Sequence, residues 1–155
     1  MSIFRKKKVI PCHQGRVAEN LMFSTILRKG QYVVNNTHFD TTRGNVLHKG
    51  GVPIDLPCKE SFADAPGPFK GNMDIPRLED FLRQHRRDEI AMVLVTVTNN
   101  SAGGQPVSME NIRESRRLAH AFGALFVLDS CRFAENAYFI KQREAGYRDK
   151  TLAEI

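Results

Sequence analysis

The sequence predicts an α/β fold with a mostly parallel sheet and flanking helices, and three observations support this fold class. Short apolar runs alternate with segments of helical periodicity, which is typical of β-α-β units. The run from Ile90 to Val97 is continuously apolar and rich in Val and Thr, as in a strand buried on both faces. Polar side chains follow several apolar runs, as at Asp129, and ligands bind at such strand ends in α/β proteins.

The first half of the chain predicts one helix, one strand and two irregular regions. Residues His13 to Leu27 carry apolar side chains at near-helical spacing, and Tyr32 to Val34 predict a short strand. Residues 39–51 are polar and are interpreted as a loop, with a turn at Gly50 to Pro53. The Pro- and Gly-rich segment from Leu56 to Asn72 predicts an excursion to the surface.

The second half predicts regular helix–strand alternation. Pro76 suits the first residue of a helix that runs to about Arg87. After the apolar strand, a second helix begins near Ser108 and ends at Gly123, and Ala124 to Asp129 form the next strand. A last helix is predicted from about Glu135 to Glu144.

Composition indicates a soluble globular protein. Of the 155 residues, 41% are hydrophobic and 26% are charged, which is ordinary for a globular domain. No apolar run approaches the roughly 20 residues that span a bilayer, so we expect no membrane segment. Three widely spaced cysteines, Cys12, Cys58 and Cys131, indicate neither a disulfide framework nor a zinc site. We therefore expect a reducing, cytoplasmic location.

The net charge of +6 raises the question of a nucleic-acid partner. The excess lies mainly in Arg5 to Lys8 and in Arg83, Arg86 and Arg87, which we place on a predicted helix face. Aromatic residues are not interleaved with these basic groups, and no nucleic-acid-binding motif is present. A solvated surface is the better interpretation, and we expect no nucleic-acid partner.

The first candidate site segment, Gln14-Gly15-Arg16, lies at the start of the first helix. A helix N-terminus presents unpaired N–H groups and a positive dipole end to a phosphate. Gly15 would let the backbone approach that phosphate, and the two flanking side chains would add donors. An ordinary helix start is the alternative.

The second segment, Phe39 with Asp40, follows the first strand. A ring at a strand end can stack on a flat heterocycle, which adds about 0.5–1.5 kcal/mol beyond burial. Alternatively, Phe39 is a core aromatic and Asp40 is a capping or turn residue.

The third segment runs from Val97 to Ser108 and follows the buried strand. Its asparagines, Asn99 and Asn100, could donate to a phenolate oxygen, although turns rich in Asn, Gly and Pro are common. The length and order of this run make it the most distinctive of the three.

The fourth element is Asp129 with Arg132, at the end of the last strand. A carboxylate there can hold the protonated nitrogen of a heterocycle, as the pyridinium of pyridoxal 5'-phosphate (PLP) requires. The alternative is that Asp129 caps the following helix.

The chain resembles the β-eliminating lyases, the family of tryptophanase and tyrosine phenol-lyase, over about Ile10 to Ile155. The runs that carry the resemblance are His13-Gln14-Gly15-Arg16, Phe39-Asp40-Thr41-Thr42, Phe69-Lys70-Gly71-Asn72, Asn100 to Ser108 and Glu135 to Ile140. Details at Phe39-Asp40, at Ser101 and at Asp129-Ser130 are more similar to tryptophanase than to tyrosine phenol-lyase. The resemblance implies part of the large PLP-binding domain of an aspartate-aminotransferase-like, fold-type I enzyme.

The resemblance also implies a role for each candidate residue. Gln14, Gly15 and Arg16 would bind the phosphate, and Phe39 would stack on the pyridine ring. Asn100 and Arg132 would contact the 3' oxygen, and Asp129 would pair with the ring nitrogen. The catalytic residues it implies are Asp129, Arg132 and Asp40, the last near the substrate side chain. The reaction expected of the intact enzyme is β-elimination of tryptophan to indole, pyruvate and ammonia.

We expect only part of the enzyme in this chain, with a basic tail at residues 1–9 and a partial PLP-binding domain at residues 10–155. The family's Schiff-base lysine lies beyond Asp129, where only Lys141 and Lys150 occur, and Lys141 is interpreted as a solvated helix lysine. The chain alone is therefore expected to be inactive. The resemblance further implies a tetramer and a potassium ion whose ligands lie outside this chain. A tyrosine phenol-lyase, another amino-acid β-lyase and a non-catalytic subunit that docks on a full-length homologue remain alternatives.

Overall fold

A computed structural model describes residues 7–155, so most of the predicted basic tail lies outside the described residues. The helices and strands, in chain order, are α1 (Gly15–Ile26), β1 (Tyr32–Asn35), α2 (Asp40–His48), β2 (Val52–Asp55), α3 (Ile75–Gln84), β3 (Ile90–Thr96), α4 (Met109–Phe122), β4 (Leu125–Asp129) and α5 (Phe133–Arg143). Within residues 7–155, no helix has the length and apolarity needed to cross a membrane.

The four strands form one parallel sheet in the order β2-β1-β3-β4. Asn35, the last residue of β1, pairs with Asp55, the last residue of β2. Thr96, the last residue of β3, pairs with Asp129, the last residue of β4. All four strands therefore bring their carboxyl ends to one edge, and the predicted parallel α/β architecture is confirmed.

The apolar strand β3 lies at the centre of the core because all its residues are buried. Val93 and Val95 face a cluster that includes Leu78 of α3 and Leu118 of α4. Met92 instead packs with a second cluster, whose other members are Phe23, Leu27, Val33, Val46 and Ala91. Burying one such side chain contributes about 1.5–3 kcal/mol, so helices on both faces hold the sheet in place.

Residues 39–51 form a helix over most of their length, so their interpretation as a loop was wrong. Helix α2 contains Thr, Gly and Asn, which have low helix propensity. Tertiary contacts outweigh that propensity: Val46 is completely buried, and the carboxylate of Glu19 in α1 accepts hydrogen bonds from Thr42 and Asn45.

Strand β2 was not predicted, because the sequence pattern indicates a turn at Gly50 to Pro53. Pro53 lies within this strand, opposite Val33. Proline cannot donate a main-chain hydrogen bond, and it is tolerated here because β2 is the outer strand of the sheet. The predicted turn is confirmed at Gly50, whose φ of 76° favours glycine.

Several helix boundaries differ from the prediction, and α1 begins at Gly15 rather than at His13. Helix α3 ends at Gln84, so Arg86 and Arg87 follow the helix rather than lying on its face. Helix α5 begins at Phe133, two residues before the predicted Glu135. Helix α4 agrees with prediction, because Ser108 caps it by accepting from Asn111 N–H at 3.1 Å.

Candidate active site

A cavity of about 860 Å³ opens at the carboxyl edge of β3 and β4, beside the start of α1. Its volume is in the range typical of small-molecule sites. The candidate cofactor residues that line it are Gln14, Gly15, Arg16, Phe39, Asn100, Asp129 and Arg132. The cavity therefore brings together all of the residues proposed for cofactor binding, from segments far apart in the chain.

The start of α1 is open towards this cavity. Gln14 occupies the N-cap position, its side chain makes no capping hydrogen bond, and the first turn holds no acidic residue. A Cβ added to Gly15 would meet no atom within 4 Å, and Gly15 does not have a positive φ. Neither packing among the described residues nor backbone conformation requires glycine there, and the position is open to the close approach of a ligand.

Phe39 is only partly covered by protein. It is the N-cap residue of α2, and its ring remains 38% exposed on the wall of the cavity. The alternative that Phe39 is a core aromatic is therefore wrong, because such a ring would be buried.

Asp129 is a partly buried carboxylate that has no cationic partner among the described residues. Burial and the negative charge of Glu19 raise the pKa of its carboxyl group, and the Cys131 N–H and the Arg132 charge oppose this only in part. Among residues 7–155, no Lys, Arg or His nitrogen lies within 4 Å of this carboxylate. Arg132, not Asp129, is the N-cap residue of α5, so the capping alternative is wrong.

Asn99 and Asn100 have different environments in the loop after β3. Asn99 is buried, with Nδ2 donating to the Gly71 carbonyl at 3.3 Å and Oδ1 accepting from Thr37. Asn100 is partly exposed and lines the cavity. Asn99 therefore holds the loop together, and Asn100 is the asparagine available to a ligand.

The loop after β3 makes a close backbone contact with the Phe69-Lys70-Gly71-Asn72 run. A Cβ on Gly71 would lie 2.2 Å from the Gln105 carbonyl oxygen, so only glycine fits. The Gly71 N–H donates to the Pro106 carbonyl at 3.0 Å, and its own carbonyl accepts from buried Asn36 at 2.9 Å. This run supports the site from behind and does not line the cavity.

Glu19 is a cavity residue that the sequence analysis missed. Its carboxylate joins α1 to α2 through Thr42 and Asn45, the latter at 3.1 Å. Helical spacing gave a signal, because Glu19 follows Arg16 by three residues and so lies on the same face of α1.

Asp40 and the lysines lie outside this cavity. Asp40 is exposed at the first position of α2 and does not line the cavity, so its substrate role stays a prediction. No lysine of the described part of the chain lines it either. Lys141, as expected, is on the surface of α5, where its Nζ donates to the Lys150 carbonyl at 2.5 Å.

Solved structures define the class of fold. The chain is similar to an aspartate aminotransferase from Rhodobacter sphaeroides, with a TM-score of 0.59 and 22% identity over 74% of this chain and 27% of that one. It is also similar to the alanine aminotransferase from Pyrococcus furiosus, with a TM-score of 0.56 and 19% identity over 73% of this chain and 26% of that one. The fold is thus that of the aminotransferase-like, fold-type I enzymes, as predicted.

Sequence comparison identifies the family within that fold. The family profile described as "Beta-eliminating lyase" matches residues 1–151. The tryptophanase from Hyphomonas neptunium is 52% identical over 95% of this chain and 32% of its own length. The tryptophanase from Rhodobacter capsulatus is 52% identical over 96% of this chain and 33% of its own length. Tyrosine phenol-lyase from Clostridium tetani is 44% identical over 99% of this chain and 34% of its own. The chain belongs to the β-eliminating lyase family and spans about a third of the length of these relatives.

Proposed function

We propose that this chain supplies part of the PLP site of a β-eliminating lyase, and that the intact enzyme converts tryptophan to indole, pyruvate and ammonia. The observation that carries the proposal is the single cavity lined by all seven candidate cofactor residues. Those residues come from the start of α1, the start of α2, the loop after β3 and the end of β4. Membership of the lyase family supports the same assignment.

The donors and acceptors around the cavity suit the chemical groups of PLP. The open N-terminus of α1, with Gln14, Gly15 and Arg16, suits a phosphate. Asp129 suits a protonated ring nitrogen, because it is a partly buried carboxylate that lacks a cation among the described residues. The exposed ring of Phe39 suits a flat heterocycle.

Each residue would have a distinct task in the reaction. When bound, PLP withdraws electrons from the substrate Cα, which makes β-elimination feasible. Asp129 would keep the proton on the ring nitrogen, and Asn100 with Arg132 would donate to the 3' oxygen. Phe39 would hold the ring flat against one wall, and the N–H groups of α1 would fix the phosphate. These residues would therefore bind and polarise the cofactor, and other groups would transfer the proton at the substrate.

Tryptophan is the favoured substrate of the intact enzyme. Two of the relatives at 52% identity bear the name tryptophanase, whereas the tyrosine phenol-lyase is 44% identical. Asp40 remains our candidate for contact with the substrate side chain. A tyrosine phenol-lyase or another amino-acid β-lyase is the alternative, and analysis of the products decides between them.

We propose that the chain alone binds PLP without a covalent bond and is inactive. No lysine lines the cavity in the part of the chain that the structure describes, which supports this proposal. The tetramer, the potassium ion with ligands outside this chain and the cytoplasmic location belong to the same proposal for the intact enzyme. We propose no nucleic-acid partner. We also keep the division into a basic tail at residues 1–9 and a partial PLP-binding domain at residues 10–155.

A chimera tests the proposed function. This chain would replace the matched third of the Rhodobacter capsulatus tryptophanase, and indole and pyruvate would be measured from tryptophan. We expect activity within about tenfold of the parent enzyme, a loss of about 1.4 kcal/mol or less. An assembled, PLP-loaded chimera without lyase activity would contradict the proposal. Native mass measurement of this chain with the full-length relative tests the alternative of a docking subunit.

A further inference from the structure

His38, the residue before Phe39, is hydrogen-bonded through its main-chain N–H, its ring and its carbonyl. The His38 N–H donates to Asp55 Oδ1 at 2.8 Å, and the His38 ring nitrogen Nδ1 lies 2.6 Å from the same oxygen. The His38 carbonyl accepts from Ser101 Oγ at 2.9 Å. The main chain that enters Phe39 is therefore fixed by the end of β2 and by the loop that contains Asn100.

Asp55 also fixes the chain on the far side of Phe39. Its second oxygen, Oδ2, forms an ion pair with Arg43 of α2. The Arg43 N–H in turn donates to the Phe39 carbonyl at 2.8 Å, in the first turn of that helix. One carboxylate thus anchors the residue before the exposed ring and the helical turn after it.

The charge of Asp55 is stabilised within the chain. Burial of this carboxyl group would raise its pKa, but hydrogen bonds from the His38 ring and main chain, with the positive charge of Arg43, together lower it. The Asp55 side chain is 25% exposed and the His38 side chain is fully buried. The His38–Asp55 contact is consequently shielded from water, which strengthens it, whereas the Arg43 side chain is 43% exposed.

Neither Asp55 nor His38 nor Ser101 lines the cavity, so none of them can act by touching a ligand there. Each of them instead contacts the main chain next to a residue that does line it. Asp55 and His38 adjoin Phe39, and Ser101 directly follows Asn100. The arrangement links the two walls of the cavity to the outer strand β2.

We propose that Asp55 is a positioning residue, which through His38 and Arg43 fixes the Phe39 ring in the orientation that stacks on the cofactor, with Ser101 holding the His38 carbonyl from the other side. The part of the inference that concerns PLP rests on the proposed function. The fixed orientation of the ring is a property of the chain itself and can be measured without cofactor.

The absence of tryptophan from the chain provides a specific probe. A Phe39→Trp variant carries a single tryptophan, whose fluorescence anisotropy reports the mobility of this side chain. The full chain with Phe39→Trp would be compared with and without Asp55→Asn or Ser101→Ala. Asp88→Asn is the matched control, because Asp88 also pairs with an arginine, Arg86, and does not line the cavity. Circular dichroism on each sample reports whether the fold is retained.

We expect Asp55→Asn to lower the anisotropy, Ser101→Ala to lower it less, and Asp88→Asn to leave it unchanged. In the chain with the natural Phe39, Asp55→Asn is expected to weaken PLP binding about tenfold, as for loss of hydrogen bonds to a charged group. In a Phe39→Leu background the same change should have little further effect, because the two sites are then uncoupled. Equal weakening in both backgrounds would overturn the inference.

The possible failures are distinguishable. Unchanged anisotropy in folded Asp55→Asn overturns the positioning role and leaves the proposed function standing. If Asp55→Asn does not fold, Ser101→Ala decides, and unchanged anisotropy in that variant overturns the inference. If the parent chain does not bind PLP while the anisotropy falls as expected, the cofactor proposal fails and the fixed ring orientation stands.

Discussion

Two carboxylates at the same edge of the sheet have opposite environments. Asp55 and Asp129 are the last residues of β2 and β4, the two outer strands. Within the chain, Asp55 has His38 and Arg43 as partners and a lowered pKa, whereas burial and Glu19 raise the pKa of Asp129. The position in the fold is equivalent, so the difference comes from the neighbours. Asp55 has its partners within the chain, whereas Asp129 has no cationic partner among residues 7–155, as the proposed pairing with a pyridinium requires.

The largest expected effect is the loss of activity on replacing Asp129. In the chimera, Asp129→Ala would leave the bound pyridinium without its partner, a loss on the order of 3–5 kcal/mol, and we expect lyase activity to be abolished. Initial rates of indole formation measure this effect. Activity near the parent level in Asp129→Ala would contradict the assignment of Asp129.

The second effect concerns the stability of the unliganded chain at Asp55. Asp55→Ala removes the acceptor for His38 and Arg43, so we expect the free energy of unfolding to fall by about 1–3 kcal/mol. Urea unfolding with Asp88→Asn as control checks this, since exposed pairs contribute little. A loss no greater than that of the control would show that the contacts of Asp55 do not stabilise the fold.

The third predicted effect is a gain in the stability of the chain rather than a loss. In the unliganded chain, Asp129→Asn should increase the free energy of unfolding at neutral pH by about 0.5–1 kcal/mol, because it removes a partly desolvated negative charge near Glu19. Thermal unfolding without PLP measures it, and PLP binding to the same variant should be weaker. A destabilised Asp129→Asn chain would mean that this carboxylate already has a partner.

The two aspartates also predict opposite pH dependences. Since the pKa of Asp55 is lowered by folding, its contribution is present above the ordinary carboxyl pKa and is lost as the pH falls through the lowered value. Since the pKa of Asp129 is raised, its unfavourable contribution appears as the pH rises from the ordinary carboxyl pKa through the raised value. Unfolding of Asp55→Asn and Asp129→Asn across the acid range should separate these trends. Parallel pH profiles would contradict the comparison.

The smallest expected effect is at Glu19. Its charge contributes to the raised pKa of Asp129, so Glu19→Gln should move that pKa towards its ordinary value. The carboxyl carbon resonance of Asp129, followed by NMR across a pH titration, measures the change. An unchanged titration midpoint of Asp129 would show that Glu19 does not raise the pKa of Asp129.

The sequence predicted those parts of the molecule where local pattern and tertiary structure agree. Strand β3 is a continuous apolar run and helix α4 has an apolar stripe and a capping serine, and both were predicted. Helix α2 was missed because its stability comes from Val46 in the core and from Glu19, contacts that local propensity does not contain. Strand β2 was missed because Pro53 argues against a strand unless that strand is known to be at an edge.

The residues that line the candidate site could be predicted from the sequence, but the hydrogen bonds that hold those residues in place could not. The family resemblance selected the residues from Gln14 to Arg132 that the structure brings into one cavity. The family resemblance did not indicate that Asp55 and His38 hold the chain at Phe39. That contact joins residues 17 positions apart, and one of them lies in strand β2, which was not predicted. Such contacts depend on three-dimensional packing between segments.

Equilibrium dialysis of the purified chain and its Asp129→Asn variant against PLP tests the central claim most directly. We expect a single saturable site in the parent chain and an affinity at least about tenfold weaker in the variant, since a one-unit change in pKa corresponds to about 1.4 kcal/mol. Borohydride reduction of the bound sample should give no lysine adduct. Equal affinity in the two chains, or no saturable binding, would contradict the assignment of this cavity as the PLP site.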